Sequence, residues 1–168
     1  MEQSQTILLN QKQMEQKINR IAYQVYEDNV DEKEIIIAGI MQNGFVLAKK
    51  IDSILRSISP INTKLVEVAI DKHSHLQKEI KLSISQSEFQ GKTVLLVDDV
   101  MDSGKTMIYA LKPFLQADIK KIRIAVLVDR NHKGYPITAD FVGIRLATTL
   151  QEHITAVFDK ENESVFLS

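Results

Sequence analysis

The chain has 168 residues, of which 44% are hydrophobic and 26% charged, with a formal net charge of −1 and no cysteine. That length predicts a single domain over 1–168 with a core large enough for a sheet of about five or six strands, and the near-zero charge excludes the electrostatic footprint of a general nucleic-acid binder. The lack of cysteine excludes a disulfide framework, a thiolate nucleophile and thiolate metal ligands, which suits a cytoplasmic location.

No apolar run approaches the ~20 residues of a membrane span, so no membrane partner is expected. The opening MEQSQTILLN lacks the basic-then-apolar order of a secretory signal. A short strand is predicted at Thr6 to Leu9. Ile18, Ile21, Ala22 and Val25 then recur at helical spacing and predict an amphipathic helix from Gln11 to Asp28. Ile35 to Ile40 reads as a buried strand ending in a Met41-Gln42-Asn43-Gly44 loop, and helical spacing resumes through Val46, Leu47, Ile51, Ile54 and Leu55 until Pro60. Leu65 to Ile70 is β-branched and apolar, Asp71 to Lys78 is a polar loop, and Ile80, Leu82 and Ile84 alternate with polar residues as in a half-exposed strand.

Beyond the stretch 94–106, a helix is expected from Gly104 to about Ala117 and a buried strand from Ile122 to Val128. Shorter strands follow at Phe141-Val142, Ile154 to Phe158 and Val165 to Leu167, with a hairpin turn at Asp159 to Glu163. Strands alternating with helices imply an α/β fold: a mostly parallel central sheet with helices on both faces. The short pieces after residue 130 suggest a small cap at one edge.

Residues 94 to 106, Val-Leu-Leu-Val-Asp-Asp-Val-Met-Asp-Ser-Gly-Lys-Thr, carry the most chemistry. A short apolar strand, Val94 to Val97, delivers Asp98 and Asp99 to its carboxyl end, where open α/β sheets bind ligands. The loop Met101 to Thr106 then opens a helix, whose free N–H groups suit a phosphate. The pattern fits a ligand with a phosphate at one end and hydroxyls for the acids, such as a sugar phosphate. Gly104-Lys105-Thr106 also ends like a triphosphatase P-loop, but that motif requires glycine where Asp99 stands.

The run resembles the 5-phosphoribosyl-1-pyrophosphate (PRPP) motif of type I phosphoribosyltransferases. The resemblance implies that Asp98 and Asp99 bind the ribose hydroxyls. It implies that Asp102, Ser103, Gly104, Lys105 and Thr106 cradle the 5-phosphate, and that Asp102 also holds or deprotonates the base. It places a pyrophosphate loop at Gln42, Asn43 and Gly44, where many relatives carry Arg or Lys and this chain is neutral. It places a hood at Asp71 to Lys78, from which Lys72, His73, His75 and Lys78 could meet pyrophosphate, although the two histidines taken alone read as part of a solvated polar loop.

Residues 122 to 144 are similar to the matching segment of the PyrR-type branch, the bifunctional pyrimidine-operon regulators and uracil phosphoribosyltransferases. That likeness implies a base pocket at Val128, Asp129, Arg130 and His153, with the stretch near Glu152 and His153 closing over the base. It implies Mg²⁺ as cofactor, Asp159 as an acid toward a pyrophosphate-bound Mg²⁺, and a homodimer or larger assembly. The expected partners are PRPP and a nucleobase, uracil before hypoxanthine or guanine, since Asp102 points to purines and Asp129 to pyrimidines. RNA contact is disfavoured: His132 matches the branch, but Thr138 stands where it has a basic residue, and the chain has no basic face.

Overall fold

A computed structural model describes residues 5–70, 80–147 and 152–168. Their order is β1 (Thr6–Leu9), α1 (Gln11–Asp28), β2 (Glu34–Ile40), α2 (Asn43–Ile58), β3 (Asn62–Ile70), β4 (Ile80–Leu82), β5 (Thr93–Met101), α3 (Lys105–Leu115), β6 (Lys121–Asp129), β7 (Phe141–Arg145), β8 (Ile154–Val157) and β9 (Ser164–Leu167), with a 3-10 turn at Gln86–Phe89. Six strands form the central sheet in the order β4-β3-β2-β5-β6-β7. All its pairings are parallel except β3 with β4. A second sheet, β1-β9-β8, is antiparallel.

The central strands are apolar without interruption because both faces are covered. Alternation divides each strand between two cores. Ile35 and Ile37 of β2, Leu95 and Val97 of β5, and Ala125 and Leu127 of β6 face α1 and α2. Ile36, Ala38, Ile40, Val94, Leu96, Ile124 and Val126 face α3 and the 3-10 turn, where Phe89 and Phe114 meet with ring centroids 5.2 Å apart. Full burial of one such side chain contributes roughly 1.5–3 kcal/mol.

Helix α1 starts where Asn10 and Gln13 form a reciprocal capping box, the Asn10 side chain accepting from the Gln13 N–H at 2.9 Å and the Gln13 side chain accepting from the Asn10 N–H at 3.0 Å. Its buried stripe is Met14, Ile18, Ile21, Ala22 and Val25, as the helical spacing predicts. Arg20 ties it to the sheet edge by donating to the carbonyls of Val142 and Gly143.

Several boundaries differ from the sequence reading. β5 continues through both acids to Met101, because pairing with β6 extends to Met101–Asp129. Asn43 and Gly44 belong to the first turn of α2 rather than to a loop. Helix α3 begins at Lys105, with Gly104 as its left-handed N-cap at φ 83°, and ends at Leu115. β7 is the sixth strand of the central sheet, parallel to β6, and not part of the cap. The cap recruits the amino-terminal strand instead, and Leu9, Ala156 and Val165 pack into the core beneath α1 and α2. The hood at Asp71 to Lys78 lies outside the described residues.

Candidate functional site

The site lies at the carboxyl ends of β2, β5 and β6. Adjacent residues of a strand leave it towards opposite faces, yet both acids of β5 reach the start of α2, Asp98 beside Gly44 and Asp99 beside Asn43. Asp98, buried, lines a cleft of about 80 Å³ together with residues 100–107. Asp99 is met by Asn43, whose Nδ2 donates to its Oδ2 at 3.1 Å. The N–H of Asp99 donates to Asp98 Oδ1 at 2.9 Å, which fixes the first carboxylate against the backbone of the second.

The start of α2 reaches this place because Gly44 has no side chain. A Cβ there would lie 2.8 Å from Asp98 Oδ1 and 2.8 Å from the Val97 carbonyl. Met41–Gln42, immediately before, is a cis peptide. Asn43 Nδ2 also donates to the Ala156 carbonyl of β8 at 3.0 Å, so the predicted pyrophosphate loop, one acid and the cap meet at one side chain.

The cleft is far below the several hundred Å³ of a whole-ligand pocket and has the scale of a phosphate group. Its wall is the amino terminus of α3, where the first N–H groups have no helical acceptor. Ser103 Oγ accepts from the Lys105 N–H at 3.3 Å, and the first helical bond is Ile108 N–H to the Gly104 carbonyl at 2.9 Å. The next loop braces the turn: the N–H groups of Gly134 and Tyr135 donate to the Ser103 carbonyl at 3.0 and 3.2 Å. A Cβ on Gly104 would stand 2.4 Å from Ile137 Cγ2.

Asp102 is half exposed at the cleft rim, and the Arg130 Nη1 donates to its Oδ2 at 3.2 Å. His132 Nδ1 lies 3.7 Å from its other oxygen. Arg130 is buried, and its Nη2 donates to the Glu152 carbonyl at 2.7 Å. Asp129 is buried and occupied by its own loop: Oδ1 accepts from the Asn131 N–H at 2.9 Å and from Lys133 Nζ at 2.7 Å, and Arg145 Nε lies 3.8 Å from Oδ2. Val128 is fully buried in the core beneath α1 and α2, so its side chain supports the neighbourhood from below rather than lining it.

His153 is exposed, and its backbone pairs with Ser168 as an extension of the β8–β9 hairpin. Asp159 is exposed on the hairpin turn, where its carbonyl accepts from the Asn162 N–H. Among the described residues no three His, Cys, Asp or Glu side chains gather in a metal-binding group. The structure thus brings together Asn43, Gly44, Asp98, Asp99 and the 102–106 turn. The bracing by Gly134, Tyr135 and Lys133 escaped the sequence reading, although Lys133 stands i+4 from Asp129 and the Gly134-Tyr135-Pro136 run signals a turn.

A parallel sheet with paired acids and a small cleft at one strand's carboxyl end is the arrangement in which open α/β proteins bind their ligands. The family model for the phosphoribosyl transferase domain matches residues 4–161, and the chain belongs to that family. It is 33% identical over 161 residues to the "Bifunctional protein PyrR" of Fusobacterium nucleatum, covering 92% of this chain and 91% of that one. It is 33% identical over 168 residues to the protein of the same name from Geobacter sp. strain M21, covering 94% and 93%. Among solved structures it resembles a hypoxanthine-guanine phosphoribosyltransferase of Bacillus anthracis, with a TM-score of 0.71, 21% identity and coverage of 83% and 81%. It also resembles the hypoxanthine phosphoribosyltransferase of Trypanosoma cruzi, with a TM-score of 0.74, 17% identity and coverage of 85% and 78%. These last two likenesses are of fold. No helix among the described residues is long and apolar enough to cross a membrane.

Proposed function

We propose that this protein transfers the 5-phosphoribosyl group from PRPP to a nucleobase with Mg²⁺, releasing pyrophosphate, in nucleotide salvage in the cytoplasm. The observation that carries the reading is the continuity of Asp98 and Asp99 with the cleft at the start of α3, acids for the ribose and N–H groups for its phosphate in one strand–turn–helix. Uracil is the first acceptor, supported by the relatives named PyrR, with hypoxanthine or guanine second.

In this reading the 5-phosphate sits on the 103–106 turn and the ribose hydroxyls on Asp98 and Asp99. The bond from the anomeric carbon to pyrophosphate breaks, and the leaving group takes the electron pair. A ring nitrogen of the base supplies the pair for the new bond and gives up its proton, which Asp102 accepts. Positive charge develops on the sugar in between, and the carboxylates of β5 stabilise it.

Mg²⁺ favours a few carboxylates together with substrate phosphates, and the adjacent Asp98 and Asp99 fit such an ion arriving with PRPP. When bound it neutralises charge on the departing pyrophosphate. Asp159 on the hairpin turn is a further candidate to hold it. The base lies between Asp102 and the 128–130 strand end, with Arg130 and His153 bordering it and Asp129 fixing the turn. The whole chain works as one domain and self-associates as a dimer or larger; Ile7, 67% exposed on β1, offers apolar surface for this.

The test is pyrophosphate release from PRPP with Mg²⁺, run with uracil, hypoxanthine, guanine, xanthine and adenine. Turnover with uracil is the expected result. Turnover with a purine alone overturns the choice of base. Silence with every base, together with calorimetric binding of PRPP, replaces the enzyme by a PRPP-sensing protein.

A further inference from the structure

Two side chains of the central body each bridge an acid of the 98–102 run and a backbone carbonyl of the cap. Asn43 Nδ2 donates to Asp99 Oδ2 at 3.1 Å and to the Ala156 carbonyl at 3.0 Å. An amide nitrogen carries two hydrogens, so both are engaged, and the reversed amide would set its oxygen against two oxygens. Arg130 Nη1 donates to Asp102 Oδ2 at 3.2 Å, and Nη2 donates to the Glu152 carbonyl at 2.7 Å. Its side chain is 6% exposed. A cation so buried is stable only with partners at good geometry. The bridges grip the two ends of the stretch 152–156, and β8 lies against β5. Lys50 and Glu163, 2.5 Å apart, pin the same hairpin to α2 without touching an acid of the site.

We infer that Asn43 and Arg130 are positioning residues that clamp the cap to the two substrate-facing acids, Asn43 on the ribose side and Arg130 on the base side. The inference rests on the roles proposed above for Asp99 and Asp102. Because one donor serves both an acid and the cap, the orientation of the acid and the height of the cap above it are set together. The two clamps act on different parts of the ligand, so their losses separate. If these contacts only held the cap in place, loosening the same hairpin at Glu163 would weaken the ligands as well.

The experiment measures calorimetric Kd with Mg²⁺ for PRPP, which lacks a base, and for UMP, which carries one, with IMP in parallel. The variants are Asn43→Ala, Arg130→Lys and Glu163→Gln, each with its thermal midpoint. Arg130→Lys keeps the buried charge and loses the fork, which guards the fold. Asn43→Ala is expected to weaken PRPP and the monophosphate alike by about tenfold, the scale of a hydrogen bond to a charged group. Arg130→Lys is expected to weaken the monophosphate by about tenfold while PRPP stays within about threefold. Glu163→Gln is expected to lower the midpoint and shift neither Kd. Equal losses for both ligands in Arg130→Lys, no loss in Asn43→Ala, or either pattern reproduced by Glu163→Gln overturns the clamp alone. A wild type that binds neither PRPP nor either monophosphate overturns the functional reading and the clamp with it.

Discussion

At the amino ends of the parallel strands, acids are answered by cations. Glu34 meets Lys92 at 3.0 Å, Glu32 meets Lys120 at 2.6 Å, and Asp28 meets Lys121 at 3.0 Å and Arg123 at 3.1 Å. The hydrogen bond from Lys120 holds Glu32 below the ordinary glutamate range despite partial burial. Burial pushes Asp28 up, but hydrogen bonds from Lys121 and Arg123 together outweigh it and leave it lowered. At the carboxyl end of β5 two acids adjoin, and Asp99 is met by a neutral amide. The acids of the amino ends close on cations. At the carboxyl ends Asp102 and Asp129 do so too, with Arg130 and Lys133, and Asp99 differs in meeting a neutral amide where a cationic transition state is proposed to form.

The largest test of this contrast exchanges the acids. Asp98→Asn with Asp99→Asn is expected to lower kcat by at least about 10²–10³, the effect of losing a preorganised electrostatic group. The thermal midpoint should stay near wild type, because the amide retains volume and an acceptor for the Asp99 N–H. A double variant that unfolds would show that these acids serve the fold, as those at the amino ends do.

Glycines sharpen the comparison next. Gly104, at the site, and Gly91, before β5, both have positive φ, 83° and 68°. A Cβ at Gly91 meets nothing within 4 Å, whereas at Gly104 it strikes Ile137. Gly91→Ala is expected to cost about 1–2 kcal/mol from the left-handed backbone alone. Gly104→Ala adds about 1–3 kcal/mol of overpacking and also weakens PRPP binding. Urea unfolding of the two variants gives the difference, and equal costs would mean that the 130–137 loop yields freely.

Asp28→Asn probes the amino ends. It should lower stability by no more than about 1 kcal/mol, as for exposed ion pairs, and leave turnover unchanged; a change in turnover would connect the two ends of the sheet. The smallest effect is a pH dependence at Glu88, which caps the 3-10 turn. Hydrogen bonds from Lys64, the Ser85 N–H and the Ser85 hydroxyl lower it from 4.5 to about 2. A group depressed in the folded state stabilises above its unfolded value and loses that contribution as pH falls through its folded value. Stability should therefore decline from about pH 4.5 towards pH 2, and Glu88→Gln should flatten part of that slope in acid unfolding curves.

Much of this was written in local pattern. The stripe of α1, the apolar runs of β2, β5 and β6, and the Asp98–Thr106 stretch carry their signals within a few residues. What escaped depends on residues distant in sequence. Nothing near Phe141 tells that β7 lies beside β6 and extends the sheet, and nothing near Thr6 names β9 as its partner. Asn43 was legible as a neutral residue in a loop, but its two acceptors, Asp99 and Ala156, come from β5 and β8. The carboxyl end of β5 and the start of α3 are set by strand pairing with β6 and by the left-handed turn at Gly104, not by hydrophobicity.

The pairing of β1 with β9 carries a consequence for biosynthesis. It joins Thr6 to Leu167, so every strand of the central sheet lies between the partners in sequence. Contacts of such separation form late, after nearer elements have condensed. On the ribosome the central sheet has all its strands before β9 emerges, and the first strand must wait for the last. The cap, with the carbonyls that Asn43 and Arg130 grip, is then the final piece to seat. A nascent chain would hold the 103–106 turn well before the cap could seat beside it.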